Sequence, residues 1–261
     1  MKSLRFLSFR VLLPVLLMVF AVASPRALAQ DSTPAAMDAD MGVCSAALGI
    51  GMAGDSCINV IHASPDAPAV DVYLDGELAL EGVEFGQFSG WIAVPAGEHQ
   101  VQVTAAGDDA ANAVIDANVE LAADAAYHVA ATGHLADITP QIYQVNLSDL
   151  DAMGDPMARI RVIHTSPDAP AVDIALAGGD VLIADLAFPN ASDALEVPAG
   201  SYDLEVRPTG TTDVALDLPG VELEAGMVYD VFAIGLAGDG SLTVLVIPST
   251  TAAAMMATPT M

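Results

Sequence analysis

The peptide VIHASPDAPAVDV at residues 60–72 returns as VIHTSPDAPAVDI at residues 162–174, and 11 of the 13 positions are identical. A peptide repeated this closely marks either a site or a duplicated structural unit, and its surroundings decide which. Val94-Pro95-Ala96-Gly97 recurs as Val197-Pro198-Ala199-Gly200, Val119-Glu120-Leu121 as Val221-Glu222-Leu223, Tyr127 as Tyr229 and Gly133 as Gly235. The spacing stays within one residue of 102 throughout. The unit as a whole is therefore duplicated, and each copy runs for about 90 residues.

Each copy reads as strands. INVIHA and RIRVIHT are β-rich, and AVDVYL and AVDIAL alternate, with Asp71 and Asp173 on the face opposite Val70, Val72, Val172 and Ile174. SGWIAV, HQVQVT, IDANVEL, YHVAAT and QIYQVN continue the pattern in the first copy; LEV, YDLEVR, VELEA, YDVFAIG and SLTVLVI do so in the second. No stretch carries a capped helical period. Short strands between frequent turns predict an all-β chain of two tandem antiparallel β-sandwiches, Ig-like or Greek-key-like. Val-Pro-Ala-Gly reads as a hairpin turn, with Pro supplying a fixed φ and Gly a left-handed one. Tyr127 and Tyr229 each follow a turn and open a strand, which is the placement of a tyrosine corner.

The ends of the chain read differently. Residues 1–29 have the charge, apolar run and Ala27-Leu28-Ala29 site of a cleaved secretory signal peptide, and no later stretch is long and apolar enough to span a membrane. Residues 30–57 form an arm in which Cys44 and Cys57, in an exported chain, are expected to pair. The first sandwich is expected over 58–147, a linker over 148–157, the second sandwich over 158–248 and a disordered tail over 249–261. After removal of the leader, three basic residues (Arg159, Arg161, Arg207) face 34 acids, a formal charge of −31. So few cations exclude nucleic acid as a partner, because phosphate neutralisation needs Lys and Arg.

The string His-x-Ser-Pro-Asp-Ala-Pro-x-Val-Asp, with the following Asp75-Gly76, Phe85-Gly86 and Val-Pro-Ala-Gly, resembles the domain-of-unknown-function 4397 family over roughly residues 58–248. The second copy departs from it at Ala177-Gly178-Gly179 and Phe188-Pro189. The resemblance implies an exported or surface protein, often with tandem domains, and implies no activity.

The repeated motif is the first candidate for chemistry. His62, Ser64, Asp66 and Asp71, with His164, Ser166, Asp168 and Asp173 as their copy, supply a nitrogen and several oxygens that could ligate a divalent ion. The alternative is architectural. Pro ends strand pairing, Asp bonds its own loop, and the imidazole ties the same loop together. We expect His62 to bond its own loop. Gly54-Asp55-Ser56 has the look of a lipase nucleophile block without the elbow or a late base. Asp149, Asp151 and Asp155 could gather Ca²⁺ between the domains, without EF-hand spacing. Trp91 is expected in the core. The sequence thus points to a secreted, non-enzymatic, surface or extracellular module whose ligand is unknown and which needs no cofactor. A Ca²⁺-stiffened spacer and an extracellular hydrolase are the alternatives.

Overall fold

The computed structural model describes residues 42–147 and 156–250. The leader, the start of the arm, most of the linker and the tail lie outside the described residues. Eight strands form the first sandwich: β1 (Asp55–His62), β2 (Val70–Leu74), β3 (Glu77–Val83), β4 (Phe88–Pro95), β5 (Gly97–Ala105), β6 (Ile115–Leu121), β7 (Ala126–Thr132) and β8 (Thr139–Val145). Eight more form the second: β9 (Met157–His164), β10 (Val172–Leu176), β11 (Val181–Leu186), β12 (Leu195–Pro198), β13 (Gly200–Pro208), β14 (Leu216–Leu223), β15 (Met227–Ile234) and β16 (Thr243–Thr250). The sheet orders are β4-β1-β7-β8 and β3-β2-β5-β6, then β12-β9-β15-β16 and β11-β10-β13-β14. The second copy thus repeats the topology of the first.

The two sheets of each sandwich face each other through the residues that alternate inward. Ile58, Val60, Val72, Val101, Val103, Val119 and Val129 meet in the first core. Ile160, Val162, Ile174, Val206, Leu223 and Val231 meet in the second. Pairing is antiparallel except for one parallel pair in each sandwich, β1 with β7 and β9 with β15.

The sheet orders also correct the reading of Val-Pro-Ala-Gly. β4 and β5 lie in different sheets, as do β12 and β13, so the turn is a corner between sheets and not a hairpin. Gly97 takes φ +139° there, a backbone angle that a residue with a Cβ rarely adopts.

A disulfide joins Cys44 to Cys57 and fixes the arm to the start of β1. The arm carries a short helix, α1 (Val43–Leu48), which an all-β reading does not include. Six residues are too few to hold a helix in water without such support. Cys44 and Ala47 are buried against Val145, Leu147 and Val228. Replacing both cysteines by Ser is expected to release the arm and cost roughly 3 kcal/mol, from the loop entropy of a 13-residue separation. A urea melt of the double variant checks this, and an unchanged midpoint would contradict it.

The sandwiches pack on each other through the outer faces of β4-β1-β7-β8 and β12-β9-β15-β16. Ile61, Ala63, Ala130 and Tyr143 meet Ile163, Phe232, Ile234 and Ile247 in one cluster. β1 and β15 are consequently buried on both faces over nearly their whole length. Trp91 belongs to this junction and not to the first core: it stacks on His128 with ring centroids 5.0 Å apart, and its Nε1 donates to Ser249 Oγ at 3.2 Å.

Candidate functional site

The repeated motif occupies the first passage of the chain between sheets, from β1 to β2 and from β9 to β10. Pro65 and Pro68 cannot donate to a ladder, so pairing stops and the chain crosses over. The imidazole of His62 is buried and its Nε2 donates to the Pro68 carbonyl at 2.9 Å. That bond requires the proton on Nε2 and leaves Nδ1 to accept from the Ser64 N–H at 3.4 Å. His164 repeats the Nε2 bond, at 3.1 Å from the Pro170 carbonyl, while its Nδ1 is buried without a partner among the described residues. Burial pushes the pKa of both rings down, partly offset by the bond to the proline carbonyl.

The remaining motif side chains also bond within the fold, most of them to backbone. Ser64 Oγ donates to the Gly133 carbonyl at 2.7 Å and is fully buried. Asp66 accepts from Leu135 N at 2.7 Å, and its second oxygen lies 3.5 Å from His134 Nδ1. In the second copy Ser166 donates to Asp168 at 3.3 Å, and Asp168 accepts from Ala237 N and Gly238 N, each at 2.8 Å. Burial would raise the Asp168 pKa, but the bonds from Gly238 and Ala237 hold it below the usual carboxylate range.

Asp71 and Asp173 depart from expectation. They lie on the outer face, as the alternation requires, yet they are 3% and 6% exposed. The register of β2 against β3 shifts between Val70 and Val72, which brings the Gly82 N–H to Asp71 Oδ1 at 2.7 Å. Gly107 N donates to Asp71 Oδ2 at 2.8 Å. Asp173 takes Asp185 N at 2.8 Å and Gly210 N at 3.0 Å in the same way. The N–H bonds from Asp185 and Gly210 lower the Asp173 pKa. Each carboxylate thus pins an edge-strand irregularity and a hairpin turn to β2 or β10. His62 and His164 face their own prolines while Asp71 and Asp173 face other loops, so the motif does not converge on a common point. Among the described residues, no group of three or more His, Cys, Asp or Glu side chains is placed to hold a metal ion.

The other sequence candidates are also tied down. Ser56 is fully buried and its hydroxyl donates to the Ala122 carbonyl. Asp149, Asp151 and Asp155 lie outside the described residues. Tyr229 Oη accepts from Glu224 N at 2.9 Å, and Tyr127 Oη from Ala122 N at 3.3 Å, five residues back in each case. Burial raises the Tyr229 pKa. Tyr229→Phe is expected to cost about 1 kcal/mol and Tyr127→Phe less, since the second bond is longer and more exposed. Denaturant midpoints of the two variants test this, and the reverse order would contradict it.

Sequence reasoning missed a polar cluster at the junction of the sandwiches. Asp230 is 1% exposed and accepts from His128 Nε2 at 2.9 Å and from Arg161 Nε at 2.7 Å. Arg161 Nη1 also donates to the Gln144 carbonyl at 2.6 Å. His128 and Asp230 occupy the same place in the two copies, each beside the central strand in equivalent register. The duplicated position therefore carries unlike residues that pair with each other. Burial opposes the Asp230 charge, but the bond from His128 and the charge of Arg161 hold its pKa below the usual range.

Comparison with known proteins adds a family and little else. The family model described as "Domain of unknown function (DUF4397)" matches residues 56–175 and 158–257. No curated protein matches the chain. Among solved structures, the chain is similar to a family 26 carbohydrate-binding module of Eubacterium rectale Amy13K, solved with maltoheptaose. The identity is 12%, covering 73% of this chain and 95% of that one, with a TM-score of 0.23. A streptococcal virulence factor described for α-glucan binding matches at 8% identity, 72% and 96% coverage and a TM-score of 0.23. A candidate cell adhesion protein from Parabacteroides distasonis matches at 12% identity, 76% and 99% coverage and a TM-score of 0.20. TM-scores in this range carry nothing over to this chain.

Proposed function

The chain belongs to the DUF4397 family, in two tandem copies, and on that premise we propose that it is an exported, non-enzymatic β-sandwich pair that acts outside the cell by presenting a surface. The observation that carries this reading is the internal use of every polar side chain in the repeated motif. A catalytic constellation needs a nucleophile, a base and donors free to meet a reacting atom. Here Ser64, Asp71, Asp173, His62 and His164 already hold backbone groups of their own fold. The disulfide favours an oxidising compartment, in keeping with the leader-like N-terminus. The acid excess favours solubility without attachment through charge to anionic surfaces.

The arrangement of the ends supports presentation. Gly42 stands at the β6–β7 corner beside Asp124, and Thr250 pairs with Met227 at the start of β15. Both positions therefore lie at the end opposite the motif loops. Tyr143 Oη donates to the Pro189 carbonyl at 2.7 Å across the junction near the motif ends, so both motif loops face the same way.

The test uses the purified protein from residue 30 onward. It is offered to intact cells and envelope fractions, and separately to chromogenic ester, peptide and glycoside substrates. Saturable retention without turnover is the expected result. Turnover that Ser64→Ala or Asp66→Ala abolishes would overturn the reading.

A further inference from the structure

The motif loops hold their polar groups within the fold, whereas the outer face of the β3-β2-β5-β6 sheet carries exposed polar side chains that bond one another along its surface. Across that face, register places Leu78, Tyr73, Gln102 and Asp116 in one row over four adjacent strands. Gln100 and Asn118 face each other in the neighbouring row. Leu78 is 49% exposed, and Gln100, Asp116 and Asn118 are exposed as well.

The groups are held in place. Gln100 Nε2 donates to Asp116 Oδ1 at 2.8 Å and Gln102 Nε2 to Asp116 Oδ2 at 3.3 Å. Gln102 Nε2 also reaches the Ala110 carbonyl at 3.4 Å, and Asn118 Nδ2 donates to Glu98 at 3.2 Å. Tyr73 Oη donates to the Asp108 carbonyl at 2.9 Å, which fixes its ring on the sheet. The bonds use amide N–H groups and leave the amide carbonyl oxygens of Gln100, Gln102 and Asn118 as acceptors.

The second sandwich gives a like-for-like control. Its equivalent row is Val181, Ala175, Glu205 and Asp217, with no aromatic ring and no amide. Glu205 there is neutralised by Arg207. Folding of this sheet therefore requires neither the ring nor the amides, and the first copy carries both.

We propose that this face of the first sandwich binds a neutral polyhydroxylated chain, a polysaccharide. Amide carbonyls and a carboxylate at fixed spacing can accept from successive hydroxyls, and strands about 4.8 Å apart set that spacing. The Tyr73 ring beside Leu78 offers an apolar patch to the C–H face of a sugar. Asp116, Glu98 and Glu120, with no Lys or Arg beside them, repel an anionic polymer. The inference rests on the reading of the chain as a binding module and specifies its ligand class and site.

The experiment is affinity electrophoresis and calorimetry of the protein from residue 30 onward. The probes are soluble starch, dextran, laminarin and mannan, with alginate as the acidic polymer. Retention by at least one neutral polymer and none by alginate is expected. Gln100→Ala with Gln102→Ala should weaken that binding tenfold or more at an unchanged melting temperature. Tyr73→Phe should keep it, Tyr73→Ala should lose it, and Glu205→Ala in the second sandwich should leave it intact. No neutral polymer retained, or retention unaffected by the double amide variant, would overturn the site. In either case, retention on cells without turnover would still support the module reading, and turnover would remove both.

Discussion

Asp230→Ala is expected to lower the melting temperature by roughly 10 °C or more, the largest effect of any single change at the junction. The substitution removes the acceptor of both His128 and Arg161, in a place where Asp230 and His128 are almost wholly shielded from water. Breaking a buried ion pair from one side typically costs about 3–5 kcal/mol, because the other charge stays buried without a partner. For a cooperative unit of this size, each kcal/mol moves the melting temperature by about 2–4 °C. Asp230→Asn should fall between, since its amide can accept one bond but sets an NH₂ against a second donor. The pH dependence has a definite sign. The folded pKa of Asp230 is depressed, so its contribution is present above the ordinary carboxylate range and is lost as pH falls below it. Wild type should therefore lose more stability than Asp230→Asn between about pH 5 and 3. Equal acid sensitivity of the two proteins, or a wild-type melting temperature in Asp230→Ala, would show that the junction does not hold the sandwiches together.

Asp71→Ala and Asp173→Ala are expected to have the next largest effects and to act within one sandwich each. Each change strips the buried carboxylate from two backbone N–H groups, those of Gly82 and Gly107 in the first copy and of Asp185 and Gly210 in the second. Hydrogen bonds to a charged group are worth about 1.5–3 kcal/mol each where the freed donor stays buried, and these donors sit on exposed residues that water can reach, so a loss of about 1.5–3 kcal/mol per variant follows. The variants should also expose those four amides to fast hydrogen exchange while leaving the opposite copy protected. A metal-site reading predicts the reverse pattern. Removing a ligand from a site of clustered carboxylates relieves repulsion, so stability would rise in the absence of metal. A gain in stability for either variant in EDTA would contradict the architectural role.

The duplication made the fold legible. Two copies in register place strands and turns by matching positions that a single copy would leave ambiguous. Two errors had physical reasons. Val-Pro-Ala-Gly has the chemistry of a hairpin, but the same chemistry serves a corner, and local sequence does not say to which sheet the next strand adds. Asp71 alternates outward, and alternation reports a face without reporting whether a neighbouring bulge covers it. The junction was partly readable. INVIH and YDVFAI are near-continuous runs and not strictly alternating ones, which is the mark of strands buried on both faces. Asn59 and Asp230 interrupt those runs, Arg161 and His128 stand at the equivalent positions of the other copy, and an acid where the other copy has a base is a pairing signal across a duplicated interface. The amide face could not be separated from an ordinary solvated strand surface until register aligned Tyr73, Gln102 and Asp116.

If the repeated motif serves to tie its own loops together, the ionisation of its two imidazoles shows it. Nitrogen-15 NMR of His62 and His164 in the folded protein reads both tautomer and charge. Each ring should remain the neutral Nε2–H form as pH falls from 8 through the ordinary histidine value of about 6.5, because burial lowers both pKa values while Nε2 is bound to a proline carbonyl. The sign for stability follows: the unfolded chain takes up protons there before the folded one does, so stability declines as pH drops below about 6.5. Ca²⁺ and Zn²⁺ should leave both spectra unchanged. Titration at or above 6.5 in both copies, or a shift of either ring on adding a divalent ion, would contradict the account and return the motif to the status of a site.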